Sequence, residues 1–232
     1  MVNNETPRLL VTDFDGTMTR HDFYQLFCDR YLPQGIAEIW DRYRAGELSH
    51  FDAMRLIFSG AAPGEEALLA LTREAGIDPE LPRLLRELGD AGWQVVVVSA
   101  GCRWYIDRIL REAGVDLVVH ANPGAIEEGR LMMRRPVASP FPSALAGVDK
   151  AAVVRWGQSA GRMVAYAGDG LLDLEAALLV PPRLRFAKAD LARALAEHGE
   201  PFQPFDAWRE VVAACSTAAA KTNGAAAPSN RI

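Results

Sequence analysis

Three short apolar runs break directly into polar clusters, and this constrains the chain more than any other feature. Leu9–Thr12 runs into Asp13-Phe14-Asp15-Gly16-Thr17, Trp93–Val98 into Ser99-Ala100-Gly101, and Met163–Ala167 into Gly168-Asp169-Gly170. Runs this short, bounded by breakers, fit strands buried on both faces. Asp116–His120 and Leu184–Ala187 read as further strands. Between them lie helical patterns at about Arg103–Ala113, Asp149–Ser159, from Leu172, at Leu191–His198 and at Asp206–Cys215. Strands alternating with helices predict an α/β fold with a Rossmann-like parallel sheet covered on both faces. Ligands of such sheets bind at the carboxyl ends of the strands, so the polar clusters are expected to converge there.

One stretch departs from the alternation. From His21 to Glu87, apolar residues such as Phe23, Leu26, Phe27, Phe51, Met54 and Phe58 recur at helical spacing, with Pro and Gly between them and no convincing strand. It reads as a helical cap inserted after the first strand. The expected organisation is a catalytic core of residues 1–20 and 88–215, a cap of 21–87, and a flexible tail of 216–232 rich in Ala, Ser, Asn and Gly. A hairpin is expected within Ala125–Arg134, turning at Glu128-Gly129.

Composition narrows the function classes. Lys plus Arg is 25 against 30 for Asp plus Glu, a formal net charge of −5, which disfavours a dedicated nucleic-acid binder. Apolar stretches such as Val95–Val98 and Ala176–Val180 fall far short of a membrane span, so no membrane partner is expected. The amino-terminal residues lack a signal-peptide layout, and Cys28, Cys102 and Cys215 form neither a disulfide framework nor a paired metal site. The expected compartment is the reduced cytoplasm.

The clusters have a readable chemistry. Asp13, Asp15, Asp169 and Asp173 cannot all stay ionised cheaply without a counter-charge, and Lys150 and Ser99 stand with them. Carboxylates, a lysine and a hydroxyl suit a hard divalent cation with a phosphate, Mg²⁺ above all. An aspartate can also attack phosphorus to give an aspartyl-phosphate, and phosphoryl transfer asks mainly for positioning and charge neutralisation.

Asp13-Phe14-Asp15-Gly16-Thr17-Met18-Thr19, Ser99 after its strand, Lys150, and Gly168-Asp169-Gly170-Leu171-Leu172-Asp173 stand in this order. Together they resemble the four motifs of the haloacid dehalogenase (HAD) superfamily phosphatases. The resemblance implies that Asp13 is the nucleophile and Asp15 the general acid and then base. It implies that Ser99 and Lys150 grip the phosphoryl group, alongside the backbone of Ala100 and Gly101. It further implies that Asp13, the Asp15 carbonyl and Asp169 hold Mg²⁺, with Asp173 supporting the metal shell. Gly16 and Gly101 would allow close backbone approach to the phosphate. The cap resembles that of the phosphoserine-phosphatase-like branch. Within the branch, Val98–Gly101, Asp169–Ala177 and the stretch from Phe186 to Phe205 are most similar to 2-hydroxy-3-keto-5-methylthiopentenyl-1-phosphate phosphatases. A phosphoserine phosphatase is the neighbouring reading, in which Asp22 meets the substrate ammonium and Arg55 is the nearest candidate for its carboxylate.

The expected function is therefore a Mg²⁺-dependent hydrolase of a small phosphorylated metabolite. Alternatives are a phosphotransferase, which differs only in the acceptor, and a regulatory phospho-acceptor domain, which also joins acids, a hydroxyl and a lysine around Mg²⁺. Blander roles stand beside several residues. Asp22 and Ser99 could cap helices, Asp173 could be an ordinary first-turn acid, His21 and His50 could be structural, and Arg134-Arg135 a solvated pair.

Overall fold

A computed structural model of the chain describes residues 6–32 and 35–224, with side chains through residue 218. In chain order, β1 (Arg8–Thr12) is followed by four helices: α1 (Phe23–Tyr31), α2 (Ile36–Arg44), α3 (His50–Ser59) and α4 (Glu65–Glu74). Next come α5 (Leu81–Asp90), β2 (Trp93–Cys102), α6 (Arg103–Glu112) and β3 (Val118–Asn122). Two small hairpins follow: β4 (Gly124–Glu127) with β5 (Arg130–Met133), and β6 (Pro142–Ser143) with β7 (Gly147–Val148). The chain then runs through α7 (Lys150–Ser159), β8 (Met163–Gly168), α8 (Leu174–Leu178), β9 (Arg185–Ala187), α9 (Ala189–Glu197), β10 (Gln203–Pro204) and α10 (Trp208–Gly224).

Six strands form one parallel sheet in the order β10-β9-β8-β1-β2-β3. Every residue of β1 is buried, as its place between two neighbours demands. Thr12 pairs with Val97 of β2 and Ala167 of β8, so β1 and β8 end level, and β2 runs on beside them through Ser99. After β1 the chain builds one side of the sheet and then returns to build the other. This makes the edge beside β1 the switch point where open α/β sheets bind ligands.

Two apolar layers cover the sheet. Leu9, Val11, Val98, Val153, Val154 and Tyr166 pack on one face. On the other, Leu10, Val97 and Trp93 join a cluster that runs without a break into Phe23, Phe27 and Phe58 of the inserted helices. Phe23 stacks on Tyr105 of α6 with ring centroids 4.0 Å apart, so the inserted helices are welded to the core at their base.

The insertion leaves the core through paired strands of chain. Thr19 bridges Ile77, and the Arg20 and His21 N–H groups both donate to the Ala75 carbonyl. Beyond this point α5 packs on β2 and α10, with Trp93 Nε1 donating to the Cys215 carbonyl at 3.1 Å. The inserted unit therefore closes near Gly76, not at Glu87 as the helical pattern suggested. The final helix runs through Ser216 to Gly224, so helical backbone occupies the start of the segment expected as a flexible tail. Residues 225–232 lie outside the described residues.

The hairpin expected at Glu128-Gly129 is β4–β5, and it reaches across to the insertion. The Gly64 N–H donates to the Gly129 carbonyl at 3.0 Å, and Arg130 donates to the Ser59 carbonyl at 2.8 Å. Arg135, read as half of a solvated pair, instead ion-pairs with Asp52 at 3.3 Å and lies over the Phe51 ring. Arg134 pairs with Glu127.

Candidate active site

A cleft of about 530 Å³ opens between the carboxyl edge of the sheet and the inserted helices. Asp13, Asp15, Ser99, Ala100, Gly101, Lys150, Asp169 and Asp173 all line it, and Asp22 lines it from the cap side. Residues up to 160 positions apart in sequence are thus gathered at the carboxyl edge of β1, β2 and β8.

Lys150 opens α7, whose amino end is capped by Asp149 accepting from the Ala152 N–H at 2.9 Å. Its ammonium reaches Asp13 at 2.9 Å and Asp173 at 2.5 Å. Burial alone would lower this lysine, but Asp13 and Asp173 outweigh it and hold it above its ordinary value. Burial pushes the Asp13 carboxyl well up, against the pull of Lys150. Asp169 is raised in the same direction by burial and by Asp173.

Asp173 is fully buried and saturated. One oxygen accepts from Lys150 and from Tyr166 Oη at 2.6 Å, and the other from the Asp169 and Gly170 N–H groups at 3.0 and 2.8 Å. It therefore holds both the lysine and the loop carrying Asp169. Asp169 accepts from Thr17 Oγ1 at 2.8 Å, which ties the β8 loop to the β1 loop. Oxygens of Asp13, Asp169 and Asp173 lie within 4.8 Å of one another, a hard-ligand cluster that fits a divalent cation.

Asp15 is held differently. Its oxygens accept from Tyr105 Oη and from the Phe23 N–H at 3.2 Å, with Ser99 Oγ at 3.5 Å. Burial, with Asp22 nearby, pushes its carboxyl up to about 8 despite those donors. Ser99 Oγ accepts from the Gly101 N–H at 2.9 Å, which shapes the turn after β2. A Cβ on Gly101 would sit 1.9 Å from Tyr105 Oη and 2.7 Å from Asp15 Oδ2. The missing side chain thus makes room for the Asp15 anchor as well as for a ligand.

Gly16 adopts φ +67°, and a Cβ there would lie 2.5 Å from Asp169 Oδ2. Gly16→Ala should therefore cost about 1–3 kcal/mol of stability from left-handed backbone and crowding together, readable as a lower denaturation midpoint.

Asp22 lines the cleft and also caps α1 by accepting from the Tyr24 and Gln25 N–H groups. Burial pushes its carboxyl up to about 6. Arg55 pairs with Asp52 at 3.7 Å and is not among the residues lining the cleft. Sequence reasoning missed Tyr105, Tyr166 and Asn122. Asn122 ties the Ala100 carbonyl to that of Ala146 by donating to both, at 2.8 and 2.9 Å. Its place as the last residue of a strand was the one available signal.

The chain is 28% identical over 127 residues to a phosphoserine phosphatase of Vibrio cholerae serotype O1, covering 54% of this chain and 38% of the relative. It is 28% identical over 134 residues to a phosphoserine phosphatase of Archaeoglobus fulgidus, covering 56% and 38%. The chain thus spans well under half the length of these curated relatives. Among solved structures, an unliganded probable phosphoserine phosphatase from Vibrio cholerae superposes with a TM-score of 0.67 at 21% identity, covering 96% of this chain and 67% of that one. Residues 10–178, which take in every motif residue from Asp13 to Asp173, match the haloacid dehalogenase-like hydrolases, and the chain belongs to that family.

Proposed function

We infer that the chain is a phosphomonoesterase acting on a small phosphorylated metabolite through an aspartyl-phosphate on Asp13. The observation that carries this reading is the pairing of two carboxylates with different partners in one cleft. Asp13 is ion-paired to Lys150 at 2.9 Å, while Asp15 is held protonated near neutral pH by burial. A carboxylate held against a cation to attack phosphorus, beside a carboxyl able to give up a proton, is the division of labour that ester cleavage requires.

In the first step a carboxylate oxygen of Asp13 bonds to phosphorus, the bond from phosphorus to the ester oxygen breaks, and the Asp15 proton passes to the leaving alkoxide. In the second step Asp15, now ionised, takes a proton from water. The water oxygen bonds to phosphorus, the bond to Asp13 breaks, and inorganic phosphate leaves. Lys150 and Ser99 face the phosphoryl oxygens, and Asp173 positions Lys150. Tyr105 and the Phe23 N–H fix the Asp15 carboxyl at the cleft by donating to its two oxygens. Asp13 and Asp169, with the Asp15 carbonyl, would hold Mg²⁺, whose charge keeps these carboxylates ionised and offsets that of the phosphate. Asp173, already saturated, supports that shell from behind.

The sequence likeness brings forward a methylthiopentenyl phosphate as substrate, and the curated relatives bring forward phosphoserine. Cys28, Cys102 and Cys215 are buried free thiols, which supports a cytoplasmic setting. No described helix is long and apolar enough to cross a membrane. Phosphate release from a panel of sugar, amino-acid, nucleotide and thiopentenyl phosphates tests the reading. Release from none of them, nor from a small aryl phosphate, would favour the phospho-acceptor alternative.

Asp15 also makes a stability prediction. Its folded value near 8 lies above the ordinary 3.8, so the folded state binds this proton more tightly than the unfolded chain. Stability from this group is present below pH 4 and is lost as pH rises toward 8. Asp15→Asn removes that loss. The variant should gain melting temperature over the parent most at pH 8 and above, and least below pH 4, while losing turnover. A melting difference that does not change with pH would contradict the burial of a protonated Asp15.

A further inference from the structure

The cleft has a second end, away from the sheet, whose chemistry the phosphoryl site does not use. Tyr24, Trp40, Tyr43 and His50 line it. Tyr24 meets Trp40 at 85°, Trp40 meets Tyr43 at 78°, and Tyr43 meets His50 at 81°, with centroids 5.5–5.9 Å apart. Rings set at such angles while lining one cleft form walls on several sides rather than a single plate. The Trp40 indole N–H donates to the Tyr24 hydroxyl, which fixes two of the walls. Burial pushes the His50 ring down to about 4, so it adds an aromatic face and no positive charge.

Charge points the same way. Six aspartates line the cleft against two cations, Lys150 and Arg44. Lys150 is engaged by Asp13 and Asp173, and Arg44 is a largely exposed side chain paired with Asp41. Among the lining residues no buried cation is left for a carboxylate on the leaving group. Asp22 stands between the two ends: it feels both Asp169 and Lys150, and one of its oxygens carries both bonds that cap α1. Aromatic walls with a nearby carboxylate are a favourable environment for an alkylated ammonium, which has few or no N–H groups to satisfy and is held by ring faces.

Resting on the phosphomonoesterase reading, the geometry points to a substrate class: phosphate esters of short amino alcohols with an N-methylated ammonium head, held in the box of Tyr24, Trp40, Tyr43 and His50 beside Asp22. Phosphoserine is disfavoured because its carboxylate meets this acidic, aromatic end. A neutral apolar leaving group fills the same space without the cation's attraction to ring faces and carboxylate.

Two measurements on the whole protein test this. In calorimetric titration, choline should bind at least about tenfold more tightly than its neutral isostere 3,3-dimethylbutanol. Trp40→Leu should weaken choline by a similar factor, and Tyr43→Leu serves if that variant does not fold. Equal affinities for the two alcohols, or choline binding that survives loss of the Trp40 and Tyr43 rings, overturns the assignment. In steady-state assays kcat/KM for phosphocholine should exceed that for phosphoserine and for 3,3-dimethylbutyl phosphate by about tenfold or more, and the reverse order overturns it. If no ester including an aryl phosphate is hydrolysed, the phosphatase reading fails, and the choline titration still decides the box by itself.

Discussion

Asp13→Asn is expected to abolish phosphate release, by about a thousandfold or more, while the protein stays folded. The amide cannot form the phosphoryl bond, and no other described carboxylate combines its ion pair to Lys150 with the end of β1. A thousandfold loss corresponds to about 4 kcal/mol of transition-state stabilisation. The variant removes one negative charge from a crowded group of acids, so its melting temperature should hold or rise. Phosphate release measured beside thermal melting separates a chemical loss from a folding loss. Parent-like turnover from a folded Asn variant, checked for deamidation, would refute the assignment of Asp13.

Removal of divalent metal is expected to have a comparable effect. Oxygens of Asp13, Asp169 and Asp173 within 4.8 Å of one another carry more negative charge than Lys150 alone offsets. Chelated protein should lose turnover, Mg²⁺ should restore it, and Ca²⁺ should restore little, because its longer bonds and larger ligand number mis-seat the phosphate. Binding should also raise the melting temperature. A cation at a hundred times its dissociation constant adds about 2.7 kcal/mol, or roughly 5–11 °C for a chain of this size. Asp169→Asn should blunt that rise even where activity cannot be read. Full turnover after verified metal removal would end the metal role of these aspartates.

The sequence is most legible where structure is local. β1 and β8 are short buried runs that stop at polar breakers, while β2 runs on through Ser99 to Cys102; the change from apolar to polar residues marks the site, so Asp13, Ser99 and Asp169 could be placed before any fold was known. Lys150 was legible by its place in the order of the motifs, at the start of a helical pattern, and the structure adds the Asp149 cap that holds that helix end. Tyr105 was not. It lies on the apolar stripe of α6, where a tyrosine looks like any other core ring, and only the tertiary fold brings its hydroxyl to Asp15. The end of the insertion was misread because α5 has the same amphipathic pattern as the helices before it. What distinguishes it is its partner, since it packs on β2 and α10 rather than on the cap. Asp22 shows a third limit. Helix capping and cleft lining place the same demand on one residue, so the sequence pattern alone does not separate them.

The β4–β5 hairpin sets a condition on the catalytic cycle. Gly129, Arg130 and Arg135 fasten the core to α3 and to the turn before α4. A swing of the inserted helices wide enough to admit a bulky ester must break these bonds together and re-form them on closing. Each turnover that needs such a swing therefore includes an opening step whose rate depends on residues far from the phosphorus, and escape of the alcohol or phosphate can be timed by that fastening rather than by bond cleavage.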